Sequence, residues 1–182
     1  MSRDSTIRFA TFPSTRPPPT IAFEVVEAFR SEEHAVASVG RMTGMKSDAV
    51  LAAIAPELIE IGFQVEVGKQ NHQRLERPVF FGENGEPTVQ YSIDAFHPGA
   101  GCGLEVEAGR AWMSNAVYRD LVQALVMVDV QHLILCVANE YRFRSAGRIV
   151  VNPDYSRTVE VARALFGHSR VKMPYGLTVV GY

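Results

Sequence analysis

The sequence predicts an α/β (α+β) fold in which a central mixed β-sheet is flanked by helices. Segments with helical spacing and segments with strand alternation follow one another along the chain, and the segment 132–138 is apolar without a break from residue 133 onward. A strand of that kind is buried on both faces and belongs in the middle of a sheet. The chain has 182 residues, 47% of them apolar and 21% charged. That length and composition favour one globular domain with a sizeable core.

The N-terminal segment is predicted to be an extended arm. Residues 11–19 read Thr-Phe-Pro-Ser-Thr-Arg-Pro-Pro-Pro, and consecutive prolines remove backbone donors and hold the chain extended. We therefore assign residues 1–19 to an exposed, proline-rich arm and residues 20–182 to a single domain. Within that domain, residues 20–44 are expected to form an N-terminal helical region and residues 47–182 the core.

The core is expected to begin with a helix followed by short strands. Ser47 suits an N-cap, apolar residues recur at helical spacing after it, and Gly62 is placed to end the helix. Residues 63–67 alternate as a strand, and the Gly82-Glu-Asn-Gly85 segment is a turn signal.

Two further strands are predicted on either side of a reversing segment. Residues 89–97 and 103–109 alternate with a period of two, and the link between them, Pro-Gly-Ala-Gly-Cys-Gly, is rich in turn residues. An antiparallel hairpin follows from this pattern. Asp94 on the first strand would then face the same side as Glu105 and Glu107 on the second.

The C-terminal half is predicted to complete the layers. Residues 115–128 carry apolar side chains at helical spacing and precede the apolar strand at 132–138. Asn152 with Pro153 is a helix start. A final strand is expected at residues 177–182.

The three acids on the hairpin suggest metal chemistry. Carboxylates that converge on one face repel each other unless a cation lies between them, and hard oxygen ligands suit Mg²⁺. A bound Mg²⁺ polarises a phosphate and helps to generate hydroxide. Spacing alone leaves a second interpretation open, because acidic residues on the solvated face of an amphipathic hairpin are common.

The motifs Tyr91-Ser-Ile-Asp94 and Gly103-Leu-Glu-Val-Glu107 resemble the restriction-endonuclease-like, or PD-(D/E)xK, nuclease superfamily. Its signature is an acid and then an acid-x-lysine in a strand, hairpin, helix and strand context. With Asn115-Ala-Val-Tyr-Arg-Asp-Leu121, the pattern is most like the BamHI/BglII type of type II restriction enzymes, in which the lysine is replaced. The resemblance implies a restriction-endonuclease-like core in residues 47–182 and Mg²⁺-dependent hydrolysis of DNA phosphodiesters.

The resemblance also assigns roles to individual residues. Asp94 and Glu105 would be metal ligands, with Mn²⁺ as a substitute ion. Glu107 would stand where the lysine normally orients or activates the attacking water. Glu57, on the helix before the first core strand, is a weaker candidate ligand, and Lys69 and Arg110 are candidate cations in place of the lysine.

The partners implied are double-stranded DNA, a second copy of the chain in a homodimer, and a companion DNA methyltransferase of the same restriction system. Two alternatives remain: a nuclease-fold protein that binds DNA or regulates without cutting, and a nuclease of DNA repair. The net charge of −2 counts against a nucleic-acid partner. That objection is softened because basic residues are grouped, as in Arg142, Arg144 and Arg148.

The environment is predicted from the cysteines and the hydropathy pattern. Cys102 and Cys136 are the chain's two cysteines, and Cys136 lies in the apolar strand, as expected of a reduced, buried thiol. No segment reaches the roughly 18 apolar residues that a membrane span requires. We expect a cytoplasmic protein without membrane contact.

Overall fold

The computed structural model describes residues 5–68, 70, 73–109, 111–112 and 115–182. The helices are α1 (Thr20–Ser31), α2 (Glu33–Val36), α3 (Ser47–Glu60), α4 (Ala116–Val126) and α5 (Asp154–Gly167). The strands are β1 (Arg8–Phe12), β2 (Gln64–Val65), β3 (Leu75–Phe81), β4 (Pro87–Ile93), β5 (Ala95–His97), β6 (Cys102–Glu107), β7 (His132–Val137), β8 (Tyr141–Ser145), β9 (Arg148–Asn152) and β10 (Gly176–Gly181).

A six-stranded mixed sheet forms the centre of the molecule, in the order β1-β10-β7-β6-β5-β2. Strands β6, β7 and β10 are parallel, whereas β1, β5 and β2 pair antiparallel with their neighbours. The apolar strand β7 lies in the interior of the sheet between two parallel partners. The predicted fold class, a central mixed sheet flanked by helices, is therefore confirmed.

Helices cover both faces of this sheet. On one face, α1 and α3 pack their buried side chains against Leu104 and Val106 of β6. On the other face, α4 and α5 pack against Leu135 and Val137 of β7. Side chains alternate along a strand, so Glu105 and Glu107 of β6 point toward the face covered by α4.

The predicted arm at residues 1–19 is wrong in its central part. Arg8–Phe12 forms the edge strand β1, which pairs antiparallel with β10, and the Phe12 side chain is only 3% exposed. Prolines begin at Pro13, immediately after the strand, so the donors that β1 needs are intact. The remaining domain boundaries stay predictions.

Two small two-stranded hairpins are separate from the central sheet. The strand predicted at residues 89–97 is divided at Asp94: β4 pairs with β3 in a separate two-stranded sheet, while β5 joins the central sheet. A second hairpin, β8–β9, follows β7 and was not predicted. None of the described helices combines the length and the apolar character that crossing a bilayer requires.

Candidate functional site

Asp94 immediately precedes β5, and Glu105 lies on β6, the strand that pairs with β5. Ala95 is the register partner of Leu104, and the next residues outward are Asp94 and Glu105. Asp94 and Glu105 both line the two cavities described below. The Asp94 Oδ2 accepts a hydrogen bond of 2.9 Å from the Val106 backbone N–H. The Val106 N–H therefore keeps a hydrogen-bond partner at the point where the β5–β6 pairing ends.

Glu107 lies two residues further along β6 and is paired with α4. Its Oε1 accepts a hydrogen bond of 2.9 Å from the Arg119 guanidinium. The same guanidinium donates from its Nε to Asp120 Oδ1 at 2.9 Å. Because β6 and α4 are packed together, one arginine bridges an acid of the sheet and an acid of the helix.

These acids are buried, and burial changes their protonation. Burial is the main cause that holds the pKa of Glu105 well above its usual value, and the negative charges of Asp94, Asp120 and Glu107 add to it. Burial also raises the pKa of Glu107 to about 7, with Asp120 adding to the effect and Arg119 opposing it. The pKa of Asp120 is raised by burial as well, against the attraction of Arg119. Each of these carboxyls therefore holds its proton more tightly than an exposed carboxyl does, and a cation bound at the cluster would favour their ionised forms.

Two open cavities meet at this cluster. A cavity of about 430 Å³ is lined by Asp120 and the β3–β4 hairpin, and a larger one of about 590 Å³ by Glu107 and the first turn of α3. Asp94, Glu105 and Arg119 line both. A large ligand can thus approach the cluster from either side.

The donor chemistry suits a hard divalent cation, because carboxylate oxygens are the ligands that Mg²⁺ and Ca²⁺ prefer. The side chains are not arranged as a finished coordination sphere, however. Within the described ranges, no three His, Cys, Asp or Glu side chains are placed to hold one ion. The expectation of three carboxylates already closed around one point is not met, and Arg119 supplies the positive charge in this arrangement.

The weaker candidate ligand, Glu57, lies near the C-terminal end of α3 and lines neither cavity. It is Asp48, in the first turn of the same helix, that lines the larger cavity. The helix therefore approaches the acids with its N-terminal end. The candidate cations Lys69 and Arg110 lie outside the described residues.

Sequence reasoning missed Asp120 and the pairing of Arg119. The buried side of α4 includes Val117, Asp120, Leu121 and Ala124, so an acid lies among the apolar positions that give this helix its spacing. The signal was present, since Asp120 lies three residues after one buried position and one before the next. An acid on the apolar side of an amphipathic helix needs a partner.

Comparisons with known proteins support the fold. No protein-family model matches the chain, and no curated protein sequence matches it either. Among solved structures, the chain is similar to the restriction endonuclease BglII in a complex with a 16-mer DNA. The TM-score is 0.53 at 12% identity, over 96% of this chain and 77% of that one. The chain therefore has a mixed α+β, restriction-endonuclease-like fold.

Proposed function

We propose that this protein is a Mg²⁺-dependent endonuclease that hydrolyses phosphodiester bonds of double-stranded DNA, as a type II restriction enzyme does. The observation that carries the proposal is that Asp94 and Glu105 both line the two open cavities that meet at the cluster. The likeness in fold to a DNA endonuclease supports it. The carboxylate oxygens of the cluster support it too, because they are the ligands that a hard divalent cation prefers.

The roles of the acids follow from their positions. Asp94 and Glu105 would hold Mg²⁺, with Mn²⁺ as a substitute. When bound, the ion would stabilise charge that develops on the scissile phosphate. Glu107, whose pKa is about 7, would orient the attacking water and accept its proton, since a general base is most effective with a pKa near the working pH. The new bond forms between the water oxygen and phosphorus, and the bond to the leaving oxygen breaks.

A homodimer is part of the proposal, because cutting a duplex requires one site for each strand. The structure offers an apolar surface for it on α4, formed by Tyr118, Val122 and Leu125 at helical spacing. These side chains are 45%, 58% and 39% exposed. They carry no charge, so the stripe can pack against its own copy across a two-fold axis.

The proposed setting is the cytoplasm, where a companion DNA methyltransferase would protect the host sites. Purified protein should nick or linearise unmethylated plasmid in Mg²⁺ and lose that activity in EDTA. Asp94→Asn and Glu105→Gln should abolish cutting, because each removes a charge that binds the ion while keeping the side-chain shape.

Both variants should still bind duplex DNA in a gel-shift assay, which separates loss of chemistry from loss of the fold. An unmodified protein that binds DNA but cuts no plasmid in Mg²⁺ or Mn²⁺ would instead support the non-catalytic DNA-binding alternative. Cutting confined to damaged duplexes would support a repair nuclease.

A further inference from the structure

Asp120 is an acid on the buried side of α4. Its side chain is 1% exposed, and its Oδ1 accepts a hydrogen bond from Arg119. The second oxygen, Oδ2, is also buried, and no N–H or hydroxyl donor among the described residues reaches it. Its carboxylate also lies within hydrogen-bonding reach of the Glu107 carboxyl, and that contact forms only while Glu107 carries a proton to donate. Such a group costs several kcal/mol to bury unless a positive charge compensates it.

Arg119 supplies that charge from a position it can leave. Its guanidinium lies 2.9 Å from both Glu107 and Asp120, yet its side chain is 57% exposed. It also lines both cavities beside Asp94 and Glu105. A half-exposed arginine can move into solvent at little cost, whereas the buried carboxylates cannot.

We propose that Asp120 belongs to the divalent-ion site and that Arg119 is its internal counter-cation, which the ion displaces. This inference rests on the proposed function, since it assumes a divalent ion at the cluster. Both cations compensate the same negative charge, so occupancy by one opposes occupancy by the other. Displacement frees Asp120 to turn toward the ion and Glu107 to contact the attacking water, and it leaves the guanidinium at the cavity mouth, where a phosphate would lie.

The test is a calorimetric titration of the whole chain with Mn²⁺ alone, without DNA. Arg119→Gln should bind Mn²⁺ about tenfold more tightly or better, because a competing charge a few ångströms away is removed. Asp120→Asn should bind it about tenfold more weakly, because an attracting charge is lost. An ion pair with a purely structural role would not shift affinity in opposite directions when one or the other partner is removed.

Thermal stability gives a second, independent measurement. Without metal, Arg119→Gln should lower the melting temperature and Mn²⁺ should raise it by more than in the parent protein, because ligand-linked stabilisation grows with affinity. Asp120→Asn should raise the melting temperature of the metal-free protein, and Mn²⁺ should then raise it by less than in the parent protein. If Arg119→Gln does not fold, Arg119→Lys is the alternative variant, because lysine keeps the charge but loses the bidentate contact. Its Mn²⁺ affinity should also rise, but by less.

A matched control is the Arg30–Glu27 pair on α1, which lies on the opposite face of the sheet. Arg30→Gln and Glu27→Gln should leave Mn²⁺ affinity unchanged. If the parent protein binds Mn²⁺ but both α4 variants match it or shift the same way, the inference fails while the proposed function stands. If no form binds Mn²⁺, the inference and the metal-dependent function fail together.

Discussion

Replacing Glu107 by glutamine should stabilise the metal-free protein, and only above a definite pH. The pKa of Glu107 is raised from 4.5 to about 7, chiefly by burial. A raised carboxyl pKa means that the folded state holds the proton more tightly than the unfolded chain. Stability is therefore lost as the pH rises from about 4.5 to about 7, and the loss is complete above that range.

The size of the effect follows from the same values. Each pKa unit corresponds to about 1.36 kcal/mol, so ionised Glu107 costs the folded state about 3 kcal/mol at pH 8. The side chain is only 12% exposed, which leaves little room for solvent screening. Glu107→Gln should recover most of this, or about 5 to 10 °C in melting temperature for a domain of this size.

The assay is thermal unfolding followed by circular dichroism in EDTA, at pH 5 and at pH 8. The variant should gain clearly more at pH 8 than at pH 5. Glu27→Gln is the control, because its side chain is 68% exposed on α1, and it should behave like the parent protein at both pH values. An equal gain at the two pH values, or a loss at pH 8, would refute the reasoning that Glu107 is strained by ionisation.

Three further predictions concern other parts of the molecule. Asp94→Asn and Glu105→Gln should abolish Mg²⁺-dependent plasmid cutting while their circular dichroism spectra match that of the parent; retained cutting by either would remove that residue from the site. His132, whose pKa is lowered to about 4 by burial, should make the protein lose stability as the pH falls from 6.5 to 4. His132→Gln can keep the contact to the Thr178 hydroxyl. In urea titrations, its free energy of unfolding should fall less between pH 6.5 and pH 4 than that of the parent protein, and an equal fall would contradict the prediction. Val122→Glu should leave the fold intact, because the side chain is 58% exposed, but should yield monomers in sedimentation where the parent yields dimers.

The parts of the site that the sequence predicted depend on local patterns. The period of two along β6 and the turn residues before it were enough to place Glu105 and Glu107 on one face, and the apolar run was enough to place β7 inside the sheet. These features need no knowledge of distant residues. The joint role of Asp94 and Glu105 as metal ligands stays a prediction.

The parts that were missed depend on tertiary contacts. The strand β1 exists because β10, at the other end of the chain, offers it an edge. The break between β4 and β5 at Asp94 involves a tertiary contact, since the Asp94 carboxylate accepts a hydrogen bond from the Val106 backbone N–H. The roles of Arg119 and Asp120 require β6 and α4 to be in contact, and no spacing rule within one segment contains that information.

The central claim is that Asp94 and Glu105 hold a divalent ion, and the most direct measurement is the anomalous scattering of a crystal soaked in Mn²⁺. We expect one strong peak with carboxylate oxygens of both residues within about 2.0 to 2.6 Å, the range of hard-cation ligands. We also expect the Arg119 guanidinium to have left Glu107. Soaked crystals without a peak at these two residues, and with the Arg119 bridge to Glu107 and Asp120 intact, would contradict the account.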